Sequence, residues 1–249
     1  MLGTAREVYV TTRKKNDFAF NLFVMRPLAA LVVAGIKGTG ITPNQVTLAN
    51  LAIFVVAAAL FVTMPTFWGG VLACVVIEAA YCLDCVDGML ARYKKIASKT
   101  GHLFDFFTDE MKAVLLVSVL GVRLYFTGGY GLDAKRWPPD DVRFLFAALI
   151  GCFVLASAIS LTNFVRRPEL SGKETTVEAH YETVENKGVS FGGLFTGALR
   201  ILNHYPTHIY LFALASRLDV YFWIYVALNL LYLARGWLGL VVRFGLRGE

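Results

Sequence analysis

The sequence predicts an all-α integral membrane protein, six transmembrane helices preceded by an N-terminal interfacial amphipathic helix. Three observations lead there. Of 249 residues, 57% are hydrophobic and only 17% charged, against about 45–50% and about 25% in soluble domains, so there is too little polar surface to cover the chain in water. The apolar residues gather into stretches close to the roughly 20 that a spanning helix needs. The basic residues behind the net charge of +6 form no long run but cluster between those stretches, which suits an anionic membrane surface better than nucleic acid.

Taken in order, residues 17–36 form a short apolar stretch containing Asn21, Arg26 and Pro27. Its mixture of Phe and Leu with charges predicts a helix lying in the interface rather than a seventh span. Lys37-Gly38-Thr39-Gly40 ends it, and Thr42-Pro43-Asn44 opens the first true span. The six spans are expected at 45–63, 67–91, 101–127, 142–164, roughly 199–216 and 219–242. Asn203, His204 and Pro206 interrupt the fifth, predicting a kink or a re-entrant start there. Residues 165–190 form the long polar connection, where Glu174, Glu178, Glu182 and Glu185 recur at helical spacing and predict a solvated cytoplasmic helix.

Basic residues orient the spans. With the N-terminus inside, the inner loops hold Arg6, Arg13, Lys14, Lys15, Arg26 and Lys37, then Arg92, Lys94, Lys95 and Lys99, then Arg166, Arg167, Lys173 and Lys187. The outer side holds little beyond Lys135 and Arg136, offset by Asp133, Asp140 and Asp141. Both termini are therefore expected in the cytoplasm. No short apolar core with a cleavage site follows the N-terminal charges, so no cleavable signal peptide is expected.

Ionisable residues inside spans cost about 2.5–3.5 kcal/mol each at the bilayer centre, so they need a reason. The second span ends with Asp84 and Asp87, three apart; the third opens with Asp105 and Asp109, four apart. Each pair shares one helix face, its Cβ atoms about 5–6 Å apart. The short connection from Tyr93 to Gly101 makes the two helices antiparallel neighbours, with both pairs at the same cytoplasmic depth. Four carboxylates in so small a volume repel unless a cation compensates, and hard oxygen ligands call for Mg²⁺, Mn²⁺ or Ca²⁺. Gly88 and Ala91 keep the neighbouring helix face bare, Arg92 is suited to clamping a phosphate, and Gly101 bares the third helix in the same way. Small residues alone would be read as close helix packing.

The string Asp84-x2-Asp87-Gly88-x2-Ala91-Arg92-x8-Gly101-x3-Asp105-x3-Asp109 resembles the complete signature of the CDP-alcohol phosphotransferases. All eight positions match at the family's spacing, and with each residue type near one in twenty a chance match is on the order of 10⁻⁸. Thr42-Pro43-Asn44-Gln45-Val46-Thr47 also resembles the segment that opens the family's first span. The resemblance implies a metal-dependent transfer at the cytoplasmic face, from a CDP-alcohol donor to an alcohol acceptor with release of CMP. It implies one or two Mg²⁺ or Mn²⁺ ions on Asp84, Asp87 and Asp105. Asp109 would be the general base, and a further ligand. Gly88, Ala91, Arg92 and Gly101, with Asn44, would line the CDP pocket. It also implies membrane lipids and a second copy of the chain as partners, since family members are often homodimers. The domain plan becomes a cytoplasmic arm and interfacial helix over residues 1–43, a six-helix catalytic domain over 44–244, and a cytoplasmic tail over 245–249.

The family divides between CDP-diacylglycerol donors with small polar acceptors and CDP-linked small alcohols (choline, ethanolamine or inositol type) with lipid or inositol-phosphate acceptors. Basic residues near the site and the compact chain favour CDP-diacylglycerol in phospholipid biosynthesis. A reading of another class, a transporter for a divalent cation, fits less well, because a transport site belongs near the midplane and Arg92 would repel the ion.

Other residues carry blander readings. Lys112 balances the charge of Asp109 or holds a phosphate. Glu78 makes a polar contact between helices. Cys82-x-x-Cys85 supplies small packing residues, and Cys74 and Cys152 likewise sit in apolar stretches. His204 and His208 have i, i+4 spacing, but Pro206 between them argues against zinc. Arg166, Arg167 and Arg200 are interfacial anchors, or contacts for an anionic acceptor. Trp68, Trp137, Trp223 and Trp237 look like interface belts, and Gly193-x3-Gly197 like a helix-packing motif.

Overall fold

The computed structural model of the protein describes residues 2–13, 17–165, 167, 202 and 204–246. Among them the elements are helices α1 (Leu2–Thr12), α2 (Arg26–Ile36, entered through a π-helical turn at Asn21–Met25), α3 (Pro43–Thr63), α4 (Phe67–Tyr93), α5 (Lys99–Thr127) and α6 (Arg143–Val165). A 3-10 turn at Tyr205–Thr207, α7 (Ile209–Leu214) and α8 (Leu218–Leu240) follow, and a two-residue antiparallel pair, β1 (Gly129–Tyr130) with β2 (Arg136–Trp137), lies between α5 and α6. Four of these helices, α3, α4, α6 and α8, are long and apolar enough to cross a membrane. They match the first, second, fourth and sixth expected spans. The third expected span is the 29-residue α5, which carries Asp105, Asp109, Glu110, Lys112 and Arg123 along its length. The fifth lies partly outside the described residues, and its described part is the 3-10 turn and the six-residue α7. The polar connection after α6, with its glutamates, Arg166, Arg200, Gly193 and Gly197, also falls outside the described residues.

The helix boundaries follow from local chemistry. Thr42 and Gln45 form a reciprocal capping box at the start of α3: the Thr42 backbone N–H donates to Gln45 Oε1 at 2.9 Å and the Gln45 N–H to Thr42 Oγ1 at 3.3 Å. Pro43 then occupies the first helical position, where no donor is needed. Helix α4 ends in a Schellman turn, with Ile96 N–H donating to Ala91 O, Lys95 N–H to Arg92 O, and Lys95 itself left-handed at φ 56°. Ser98 then caps α5, its Oγ accepting from the Gly101 N–H at 3.0 Å. The connection between these helices is thus a tight five-residue turn.

The structure divides into two compact units, Met1–Ala59 with Leu72–Lys112, and Leu60–Val71 with Ala113–Glu249. In the first, Ala5 and Val8 of α1, Ala29, Ala30 and Val33 of α2, and Cys85, Val86, Met89 and Leu90 of α4 form one buried apolar cluster. Its polar residues point inward. Arg26 and Asn21, expected to mark a polar face of an amphipathic helix, are buried instead. Asp17 accepts from Asn21 Nδ2 at 2.8 Å and from Arg26 Nε at 2.9 Å, and the Tyr81 hydroxyl donates to Asn21 Oδ1 at 2.7 Å. The outward residues of this stretch are apolar, with Phe23, Val24, Leu28, Leu31 and Val32 exposed. An apolar exterior around satisfied polar groups is what a lipid environment selects.

In the second unit α6 and α8 pack along each other. A Cβ on Gly121 of α5 would collide with Ala148 of α6, so this crossing depends on glycine. Arg123 is buried and its guanidinium collects the carbonyls of Phe61, Met64 and Thr66, satisfying the C-terminal end of α3. Trp68 and Trp237 are exposed as a belt requires. Trp137 is not: it is buried, edge-on to Trp223, and its Nε1 donates to Asp133 Oδ1.

Arg123→Ala removes a donor from three carbonyls, of which Met64 O keeps the Thr66 N–H, and is expected to cost roughly 2–3 kcal/mol, read as a lowered midpoint in thermal unfolding in detergent, with Arg123→Lys recovering only part of the loss. Acid acts on the other unit. Burial alone would raise the Asp17 carboxyl, but Arg26 and the hydrogen bonds from Asn21, Arg26 and the Phe18 N–H outweigh it and hold its pKa below the ordinary value. The stabilisation it supplies is complete above its unfolded value near about pH 4 and is lost as pH falls through the lower folded value. Unfolding measured against pH should therefore show an acid limb that is reduced in Asp17→Asn.

Candidate functional site

The carboxylates and the residues around them lie within the first unit. Helix periodicity puts Asp84 and Asp87 on one face of α4, and Asp105 and Asp109 on one face of α5. Of the four, Asp84, Asp105 and Asp109 converge: one carboxylate oxygen from each lies within 4.8 Å of the other two. Asp87 stands outside this trio. It is buried, and its Oδ2 accepts from the Thr47 hydroxyl at 2.6 Å. Asp109, which the resemblance names as base, has 49% of its side chain exposed, so it is the carboxylate most open to an incoming group.

Lys112 is the residue whose importance the sequence understated. Its side chain is 1% exposed, and its ammonium lies 2.9 Å from Asp84 Oδ1 and 2.6 Å from Asp109 Oδ1. It therefore bridges α4 and α5 rather than merely balancing its neighbour on the same helix. A buried ammonium is tolerated only with anionic partners, and here two carboxylates supply them. Helix α3 adds two residues the sequence reading missed. Thr47 holds Asp87, and Asn50 Nδ2 donates to Asp84 Oδ1 at 2.9 Å. Their signal was present in the sequence: Asn44, Thr47 and Asn50 recur every three residues, a polar stripe down one face of an otherwise apolar span.

The donor set fits a hard divalent cation. Four carboxylates against one ammonium leave three formal negative charges, and the converging atoms are all oxygens. The Oδ1 of Asn50, beside Asp84, is buried without a hydrogen-bond partner among the described residues, a further hard oxygen at the same place.

The residues assigned to the nucleotide are placed in two groups. Gly101 faces Asn44: a Cβ there would lie 3.3 Å from Asn44 Oδ1 and 3.1 Å from Ser98 Oγ. Gly88 faces Arg92, whose Nη1 would be 3.4 Å from such a Cβ. The bare face at Gly88 is thus bordered by the guanidinium itself. Arg92 is also tied down, since its Nε donates to the carbonyl of Thr12 at 2.8 Å. Ala91 lies on the last turns of α4 beside Arg92.

Other candidates fall elsewhere. Both carboxylate oxygens of Glu78 are buried with no hydrogen-bond partner among the described residues, so it does not make the expected polar contact. In the second unit, His204 bonds Thr207 through Nδ1 and His208 packs edge-on against Phe212 and Tyr221. Arg167 is exposed. A cavity of about 290 Å³ in that unit is lined by Arg123, Arg217 and Asp219 among others. Arg217 there pairs with Asp219, and Arg123 serves the α3 carbonyls, so both arginines are engaged within the fold.

Four helices long and apolar enough to cross a membrane, with three converging carboxylates that could hold a metal ion, define the class as a helical membrane protein with a candidate metal site. The model of the CDP-alcohol phosphatidyltransferase family matches residues 40–231, and the chain belongs to that family. It is a transferase of substituted phosphate groups, working on a CDP-alcohol donor and an alcohol acceptor. No curated protein matches the chain.

Removing the ammonium should expose the cage's own repulsion. Lys112→Met is expected to destabilise the metal-free protein by about 3–5 kcal/mol, the scale of an uncompensated buried charge. The deficit should shrink on adding Mn²⁺, as measured by thermal unfolding with and without the ion.

Proposed function

We propose that this protein transfers a phosphatidyl group from CDP-diacylglycerol to a small polar alcohol or alcohol phosphate, releasing CMP, in phospholipid biosynthesis. In this reading a six-span, homodimeric protein with both termini in the cytoplasm presents its site at the cytoplasmic face, and Asp84, Asp87, Asp105 and Asp109 hold Mg²⁺ or Mn²⁺. The observation that carries it is the convergence of Asp84, Asp105 and Asp109 oxygens within 4.8 Å, on the same two helices as Gly88, Arg92 and Gly101.

The chain's own groups divide the work. Asp109, the open carboxylate, takes the proton from the acceptor hydroxyl as its oxygen attacks the phosphorus bearing the donor alcohol. The bond from that phosphorus to the oxygen of the CMP phosphate breaks, and the electron pair leaves with CMP. Lys112 holds Asp109 and Asp84 in register across the two helices. Arg92 pairs with the donor's phosphates in the fork geometry of a guanidinium, and Asn44 and Gly101, which face each other, take part in holding the nucleotide. A divalent cation, when bound, neutralises the charge that builds on the pyrophosphate as CMP departs. Support for the lipid donor comes from the apolar, exposed Leu103 and Phe107 on α5 beside the cage residues. Lys95 and Lys99, exposed at the turn between α4 and α5, suit an anionic acceptor.

The test is CMP release by the purified protein with CDP-diacylglycerol, CDP-choline, CDP-ethanolamine or CDP-inositol, each with a panel of acceptors and with or without Mg²⁺ or Mn²⁺. The expected result is metal-dependent release from CDP-diacylglycerol, reduced roughly a hundredfold or more in Asp105→Asn, the scale of losing one electrostatic stabiliser. Release from a different donor would move the substrate assignment. Release from none, by folded protein, would sink the proposed reaction.

A further inference from the structure

The family match begins at residue 40, so helix α1 lies outside it, yet α1 ends on a signature residue. Thr12 closes α1, is 2% exposed, and its backbone carbonyl accepts the Nε of Arg92 at 2.8 Å. The carbonyls of a helix's last turn lack intrahelical partners and carry the negative end of the helix dipole, which makes them good acceptors for a guanidinium. The contact is not an accident of a loose arm. Ala5 and Val8 of α1 are buried in one apolar cluster with Ala29, Ala30 and Val33 of α2 and with Met89 and Leu90 of α4, and α1 packs along α2. The Thr12 hydroxyl is bonded back to Val8 O at 2.7 Å, and the Tyr9 hydroxyl to Leu22 O at 3.1 Å. Helix α1 is therefore seated by its apolar face, and its C-terminal end is delivered to Arg92.

A guanidinium is planar and its donors form a rigid fork, so holding Nε sets the plane in which Nη1 and Nη2 point. Here the Nη1 edge lies over Gly88, the bare face of the signature. We propose that α1 is a positioning element of the nucleotide site: the Thr12 carbonyl holds the Arg92 guanidinium in the orientation that receives the phosphates of the CDP donor. This rests on the reading of Arg92 as a phosphate ligand. A side-chain donor at Nε with a backbone acceptor also explains why lysine, a point charge without the fork, would not serve in place of Arg92.

The test is CMP affinity, measured by equilibrium binding on the purified full-length protein in the presence of Mn²⁺, with Mn²⁺ affinity measured alongside. Val8→Asp unseats α1, and Arg92→Lys keeps the charge but removes the Nε contact. Each is expected to weaken CMP binding by about tenfold or more while Mn²⁺ affinity stays unchanged, and the double variant is expected to bind CMP as Arg92→Lys alone does, because α1 acts only through the Arg92 guanidinium. Ala5→Glu, on the same buried face of α1 in the full-length chain, provides a second way to unseat α1, and it should reproduce the effect of Val8→Asp. Unaltered CMP affinity in both α1 variants, or losses that multiply in the double variant, would overturn the proposal. Loss of Mn²⁺ affinity together with CMP affinity would also overturn it, making α1 a support of the whole unit. If Arg92→Ala binds CMP as well as the unmodified protein does, the fault lies instead in the reading of Arg92 as a phosphate ligand.

Discussion

A buried ammonium between two carboxylates is the interaction on which the first unit depends. Two packed helices cannot bring Asp84, Asp105 and Asp109 together unless part of their charge is met inside the protein. Lys112 meets part of it, reaching from α5 to Asp84 on α4 as well as to Asp109 on its own helix. The bridge links the same two helices that supply the cage and sets their register. Asn50 and Thr47 extend that register to α3, each committing one donor to one carboxylate. What remains is a set of oxygens with a negative excess, the condition under which a hard cation binds.

The termini of the helices determine where these groups fall along the chain. The capping box at Thr42 places Asn44, Thr47 and Asn50 on the first turns of α3. The turn with left-handed Lys95 and the Ser98 cap reverse the chain within five residues, so that the end of α4 and the start of α5 are neighbours. A non-glycine residue in the left-handed region carries a conformational cost. Here the two backbone hydrogen bonds of the turn accompany it. The N-terminal segment contributes in the same way. Its polar residues, Asp17, Asn21 and Arg26, are satisfied internally and with Tyr81 of α4, which leaves its exterior apolar.

Much of this was legible in the sequence because the decisive patterns are local. The spacing of Asp84 with Asp87 and of Asp105 with Asp109 identifies shared helix faces, and the apolar lengths identify α3, α4, α6 and α8 as spans. Even the caps could be read from Thr42-Pro43-Asn44-Gln45. What the sequence did not disclose are the contacts whose partners lie far along the chain. Nothing around Arg92 in the sequence showed that its Nε donates to Thr12, 80 positions earlier. The hydroxyl that Asp87 accepts belongs to Thr47, 40 positions earlier. Trp137 resembled a belt residue and is instead buried against Trp223.

The sequence by itself determined that the protein is a helical membrane protein, which residues share each helix face, and the family to which its signature belongs. Those follow from composition and from the 3.6-residue period, which need no knowledge of neighbouring helices. Only the tertiary structure decided which three carboxylates converge, that Lys112 bridges two of them, and that an N-terminal helix ends on the signature arginine. Each of those outcomes is a choice among donors and acceptors brought together by packing. A side chain with several possible partners takes the one that the surrounding helices deliver within hydrogen-bond distance.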